Sequence, residues 1–256
     1  RASSLSLTGS LTMGSESTIT INRASSSFTH TLKYAFGNKS GTIGTGLGTS
    51  VDWTPSRELG KQIPSSTSGV GTLTLERYSG GTRVGTSTKT FTLWVSGDMY
   101  PTFTSLTLSG RNLGSDGSYV QTVSHVVATI TGATESYGSP IKSYSISGHE
   151  LNVQSSSGTS GVFTTSGNVT YTAKITDGRG RSATKTATIY VVPYQKPSVS
   201  ITNMYRCDVN GNPQNEGTYV RIIADYSTAS LSTLSRTYTI KQQEAPLVAT
   251  WATVVN

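Results

Sequence analysis

Apolar and polar side chains alternate through much of this chain, most clearly in FTHTLKYAF at 28–36. Phe28, His30, Leu32, Tyr34 and Phe36 fall on one face there, and Thr29, Thr31, Lys33 and Ala35 on the other, the period-two pattern of a half-buried strand. Similar patterns predict strands over 4–9, 17–23, 48–55, 71–78 and 86–95. Only SRELGKQI at 56–63 suggests a helical turn, and it is too short to be an independent helix. A later series follows at 197–207, 217–227, 236–242 and 248–255.

Residues 86–101 and 182–197 say nearly the same thing at a constant offset of 96: Lys89 meets Lys185, Thr90 meets Thr186, Thr92 meets Thr188, Val95 meets Val191 and Pro101 meets Pro197. A period of this size is close to one sandwich domain of about 100 residues. Glycines at 80–81 and at 178 and 180 precede the two copies, which predicts that each copy is the second strand of a hairpin. Phe91, Leu93 and Val95, matched by Ala187, Ile189 and Val191, form the expected core row. Thr90, Thr92 and Trp94, matched by Thr186, Thr188 and Tyr190, form the outer row. Trp94 and Tyr190 are therefore outward aromatics, read first as packing against a linker or neighbouring domain and alternatively as ligand-binding platforms. Pro101 and Pro197 mark the joins. The expected architecture is all-β, with tandem sandwich domains in a semi-rigid string at 1–97, 98–193 and 194–256. The last, with 63 residues, is expected to be truncated, and Arg at position 1 suggests a fragment or processed piece.

Charge changes little in this picture. The net charge is +7, divided as +5 over 1–97 (nine basic, four acidic side chains), +1 over 98–193 (six and five) and +1 over 194–256 (five and four). No basic stripe forms, which argues against nucleic acid as a partner. No run of about 18 apolar residues occurs, so no membrane-spanning helix is expected. The single cysteine, Cys207, has no internal partner for a disulfide, and this fits assembly in a reducing cytoplasm.

Candidate chemistry is sparse. His30, His125 and His149 lack metal-ligand spacing, no strand-to-helix context supports a nucleophile elbow, and the acidic residues form no evident glycosidase pair. Catalysis, metal and cofactor are not expected. Asp208, Asn210 and Asn212 alternate like the start of a calcium loop, but the glycine is misplaced, and a turn is the favoured reading. DGRGR at 177–181 reads as a glycine-rich turn with solvated arginines. The sequons at Asn38 and Asn168 depend on a secretory route that the sequence does not show.

VDWTPS, KQIPSSTSGVGTLTLERYSG, VGTSTKTFTLWV and YPTFTSLTLSG are followed by GSYVQTVSHVVATI, ESYGSPIKSYSISG and ITDGRGRSATKTATIYVVPYQKP, then by MYRCDVNGNPQNEGTYVRI. In this order the chain resembles a family of minor structural proteins from the tails of siphophages that infect Gram-positive bacteria. The most specific pieces are Tyr137 to Pro140, Thr176 to Arg181, Tyr205 to Asp208 and Glu216 to Tyr219. The resemblance implies immunoglobulin-like sandwiches in a virion protein of the tail tip or baseplate, near the host-contact apparatus, with no catalytic residues. The expected partners are other tail or baseplate proteins and further copies of the chain, with host cell-wall carbohydrate as a possible ligand. Two alternatives stand beside this structural role: a carbohydrate-binding module using Trp94, Tyr190, Tyr78 or Tyr119, and the stalk of a bacterial surface adhesin.

Overall fold

In the computed structural model, residues 2–114, 116–194, 196–227, 240–242 and 252–254 are described. The first eight strands are β1 (Ser4–Leu7), β2 (Leu11–Thr12), β3 (Ser17–Asn22), β4 (Thr29–Phe36), β5 (Lys39–Leu47), β6 (Ser50–Trp53), β7 (Ser68–Ser79) and β8 (Thr82–Trp94). A 3-10 helix, Arg57–Gln62, lies where the helical turn was expected, and the Ser56 side chain caps its Glu58 N–H. β1-β3-β6 form a three-stranded sheet and β2-β8-β7-β4-β5 a five-stranded one.

Eight more strands follow: β9 (Ser105–Arg111), β10 (Tyr119–Val120), β11 (His125–Thr131), β12 (Ile141–Gly148), β13 (Leu151–Val153), β14 (Ser157–Thr159), β15 (Gly167–Asp177) and β16 (Ser182–Val192). Their sheets run β9-β11-β14 and β10-β16-β15-β12-β13. Every strand of the first set thus has its counterpart eight strands later, in the same place and order. Even the unusual parallel contacts recur: Leu11 and Thr12 pair with Leu93 and Trp94, and Tyr119 and Val120 pair with Val191 and Val192. Two sheets of mainly antiparallel strands, repeated in tandem, make this an all-β chain of immunoglobulin-like sandwiches.

The described residues of 1–109, 127–160 and 170–188 group as one compact unit, and those of 110–126, 161–169 and 189–256 as another. In the first unit the alternation of β4 is realised: His30, Leu32 and Phe36 are buried, while Thr29 and Ala35 are exposed. Leu32 and Phe36 join Ile19, Ile21, Leu73, Leu75, Phe91 and Leu93 in one core. Gly80 and Gly81 turn between β7 and β8 with φ of 52° and 83°, a conformation that glycine adopts without steric cost. The expected hairpin is therefore present, and its core and outer rows fall as the sequence assigns them: Phe91, Leu93 and Val95 are buried, and Thr90, Thr92 and Trp94 exposed.

In the second unit, the Tyr119 ring meets Phe163 edge-on at 5.8 Å, and the Ser124 hydroxyl donates to the Asn112 carbonyl while accepting from the Val120 N–H. The strands expected at 197–207 and 217–227 are β17 (Ser198–Cys207) and β18 (Tyr219–Ser227), and they pair antiparallel. The loop between them is a turn, because Asp208 Oδ1 accepts the Asn210 and Asn212 N–H groups. β19 (Ile240–Gln242) pairs with β20 (Ala252–Val254); the rest of the strands expected at 236–242 and 248–255 lies outside the described residues.

Both ring nitrogens of the buried His30 in the first unit have neighbours. His30 Nε2 lies 3.0 Å from the Ser3 hydroxyl and Nδ1 lies 3.3 Å from the Leu47 carbonyl. Burial lowers the His30 pKa from 6.5, the Leu47 carbonyl opposes the shift, and the charges of Arg23 and Arg77 add to it. Below about pH 6.5 the unfolded chain takes up a proton that the folded chain resists, so His30 stabilises the fold above that value and the contribution is lost as pH falls through the folded pKa. The expected outcome is a larger fall in melting temperature between pH 7 and pH 5 for the wild-type chain than for His30→Gln. Equal falls would show that this histidine does not couple folding to pH.

Candidate functional site

The turn between β15 and β16 begins at Asp177, whose buried carboxylate organises it. Asp177 Oδ1 accepts the N–H groups of Arg179 and Arg181 at 3.0 and 2.9 Å, and the Asp177 N–H donates to the Arg181 carbonyl. With the backbone fixed in this way, both arginine side chains project from one turn.

Neither is solvated as the composition of DGRGR suggests. Arg179 is only 8% exposed. Its Nη2 donates to the carbonyls of Gly60 (2.8 Å) and Tyr137 (3.0 Å), Nη1 to Ser136 (2.7 Å) and Nε to Ile63 (3.2 Å). Arg181 Nη1 donates to the carbonyls of Ser96 and Met99, the latter at 3.0 Å, and Nη2 to Val95 at 3.1 Å. The supply of acceptors draws both side chains in. Carbonyls at the end of the 3-10 helix, in the 136–137 loop and just after β8 need donors once buried, and a guanidinium offers five N–H groups in a planar fork. Burial lowers the Arg179 pKa, the Asp177 charge opposes the shift only in part, and the Arg181 charge adds to it.

Close backbone approach makes the fit possible. A Cβ at Gly60 would stand 2.8 Å from Met99 Cε and 3.2 Å from Arg179 Nη2. The Gly178 N–H donates to the Pro140 carbonyl. Two of the most specific sequence pieces, Tyr137 to Pro140 and Thr176 to Arg181, are therefore one place in the fold. Sequence reasoning noticed both segments and missed that each completes the other. The available signal was the pairing of two arginines with two glycines in a turn that directly precedes a repeated strand.

Two shallow clefts flank this joint. One, of about 380 Å³, lies between Gly14, Pro55, Arg57 and Tyr137. The other, of about 350 Å³, lies between Lys61, Asp98, Tyr100, Glu135 and Tyr137; Glu58 lines both. Arg57 pairs with Asp98 at 2.6 Å, and Lys61 with Glu58 at 2.7 Å.

Trp94 and Tyr190 are 42% and 61% exposed on their outer rows. Neither supplies the contacts of the joint, which come from the arginines. The other two candidate aromatics are engaged in the fold and only half-exposed: the Tyr78 hydroxyl donates to Glu76, and Tyr119 packs on Phe163. Among the described residues, no group of three or more His, Cys, Asp or Glu side chains could hold a metal ion.

A tandem immunoglobulin-like protein with a stapled joint is the class that this architecture defines. A family model described as "Siphovirus protein of unknown function (DUF859)" matches residues 1–222, and the chain belongs to that family. No curated protein matches it. Among solved structures, the chain is similar to the fibronectin(III)-like modules of Clostridium thermocellum CbhA (13% identity, 75% of this chain and 95% of that one, TM-score 0.26). It is also similar to the chicken interferon gamma receptor alpha chain (13% identity, 74% and 96%, TM-score 0.29). A third is the three N-terminal domains of the bacteriophage RB49 highly immunogenic outer capsid protein (15% identity, 99% and 80%, TM-score 0.26).

Removing the Arg179 side chain strands four carbonyls in a buried site, and hydrogen bonds to a charged group contribute more than neutral ones. Arg179→Ala should destabilise the chain by about 3 kcal/mol. Arg179→Lys should recover less than half of that loss, because an ammonium cannot reproduce the planar fork. Urea unfolding checks both; a full rescue by lysine would mean that charge alone, without the fork, holds the joint.

Proposed function

We propose that this siphovirus protein is a structural component of the phage tail, at the tip or baseplate, whose sandwiches scaffold or project the host-receptor-binding apparatus. The observation that carries the reading is the stapled turn. Four hydrogen bonds from Arg179 and three from Arg181 fix the second hairpin to the exit of the first and to the 3-10 helix. Such a joint suits a part that must hold a position rather than turn over a substrate, and we assign it no catalysis and no cofactor. In this reading the domains are those at 1–97, 98–193 and 194–256. The partners are other tail or baseplate proteins and further copies of the chain, assembled in the host cytoplasm and carried in the virion. Immunogold labelling of intact virions with antibody to this chain should mark the tail tip. Label confined to the capsid, or absent from the virion, would overturn the proposal.

The exposure of Trp94 and Tyr190 favours a second reading, direct contact with host cell-wall carbohydrate through the outer sheet faces. Pull-down with host cell walls separates the two. The structural reading expects the Trp94→Ala and Tyr190→Ala variants to behave like the wild-type chain, whereas loss of wall binding in either would favour the second.

A further inference from the structure

We propose that the cleft between Tyr100, Tyr137, Asp98 and Glu135 is a binding site for a neutral saccharide. The inference goes beyond the structural role and does not depend on it. Its volume of about 350 Å³ falls within the range of small-ligand sites and suits one or two sugar rings. Tyr100 is 48% exposed, and Tyr137 also reaches solvent, so two aromatic rings border a cavity otherwise lined by polar groups. Aromatic rings accept the apolar face of a pyranose, and carboxylates, hydroxyls and backbone groups accept or donate to its rim of hydroxyls.

The walls are held before any ligand arrives. Tyr137 has a φ of 45°, and Arg179 holds its carbonyl and that of Ser136. Thr102 and Thr134 exchange backbone hydrogen bonds of 3.1 and 2.7 Å, and this isolated bridge ties the segment that follows Tyr100 to the residue that precedes Glu135. Walls fixed in this way spare the ordering cost that weakens binding by loose loops.

Charge decides the class of sugar. The cleft is lined by Glu58, Asp98 and Glu135 against Lys61, an excess of carboxylate that disfavours anionic polymers. Asp98 is already paired with Arg57, and Glu58 with Lys61. The Ser96 side chain and Arg57 hold the Asp98 pKa below its usual value, and the hydrogen bond that Lys61 donates to the Glu58 carboxylate raises that of Lys61. The paired groups therefore stay charged around neutral pH and mutually compensated, which fits hydroxyl recognition better than capture of a free cation. Trp94 and Tyr190 are not part of this cleft, so the site is separable from the outer-face platforms.

The test titrates the full chain with maltotriose, cellotriose and a rhamnose trisaccharide, with poly(glycerol phosphate) as the anionic probe, followed by NMR chemical shifts and calorimetry. At least one neutral trisaccharide should bind and shift the resonances of Tyr100 and Tyr137. Tyr100→Ala and Glu135→Gln should each weaken that binding at least fivefold with an unchanged melting temperature, and Trp94→Ala should leave it intact. The proposal is overturned if none of the three binds, if Tyr100→Ala leaves affinity unchanged, or if poly(glycerol phosphate) binds more tightly. None of these results alters where immunogold places the chain, so the two proposals fail separately.

Discussion

A buried carbonyl without a donor is the constraint around which this protein is arranged. Strands satisfy their own carbonyls, but the segments that leave a sandwich do not, and here three of them converge: the end of the 3-10 helix, the 136–137 loop and the residues just after β8. Water would serve at an open surface. In a packed joint the donors must come from side chains, and Arg179 and Arg181 provide them from one turn whose backbone is organised by a single carboxylate, Asp177. The glycine at position 60 is part of the same solution, since a Cβ there would stand 2.8 Å from Met99 Cε and 3.2 Å from Arg179 Nη2 and both would have to give way.

The sequence displays the strands far better than it displays this joint. β4 is legible because one face is buried and the other wet, and β8 and β16 because they repeat each other. β5 is hidden by its glycines at 41, 44 and 46, which blank out the alternation, and β2 and β10 are too short to carry any period. The arginine contacts span 42–119 residues, and local composition holds no trace of such a distance. On local rules Gly-Arg-Gly-Arg belongs in water. Turn chemistry was right about the backbone and silent about what the backbone would face.

Siphovirus family membership narrows the setting without assigning a task. The topology itself is permissive, because a sandwich hosts many unrelated roles and function lives in sites placed on it. The features specific to this chain therefore matter more than its fold: the stapled turn, the outward aromatics at the ends of β8 and β16, and the two clefts around the 3-10 helix. The first concerns how parts are held, and the others concern what could be touched. The cleft walls depend on the staple, since Arg179 fixes the carbonyls of Ser136 and Tyr137 that stand behind one side of it.

Comparison of the two hairpins shows how a repeat becomes a joint. One period before Arg179 stands Arg83, and it too is an arginine close to a hairpin turn. There the turn is tight, Ser79 pairs with Thr82, and Arg83 lies within β8. It remains mostly exposed and pairs with Glu76 of its own sheet at 3.2 Å, an interaction that solvent screens strongly. In the second hairpin the turn takes up the four residues 178–181, between strands that end at Asp177 and begin again at Ser182. The wider turn frees the arginine from the ladder and carries it to acceptors 42–119 residues away. A turn of four residues in place of two thus converts a sheet-surface charge into a buried staple, with no disulfide required.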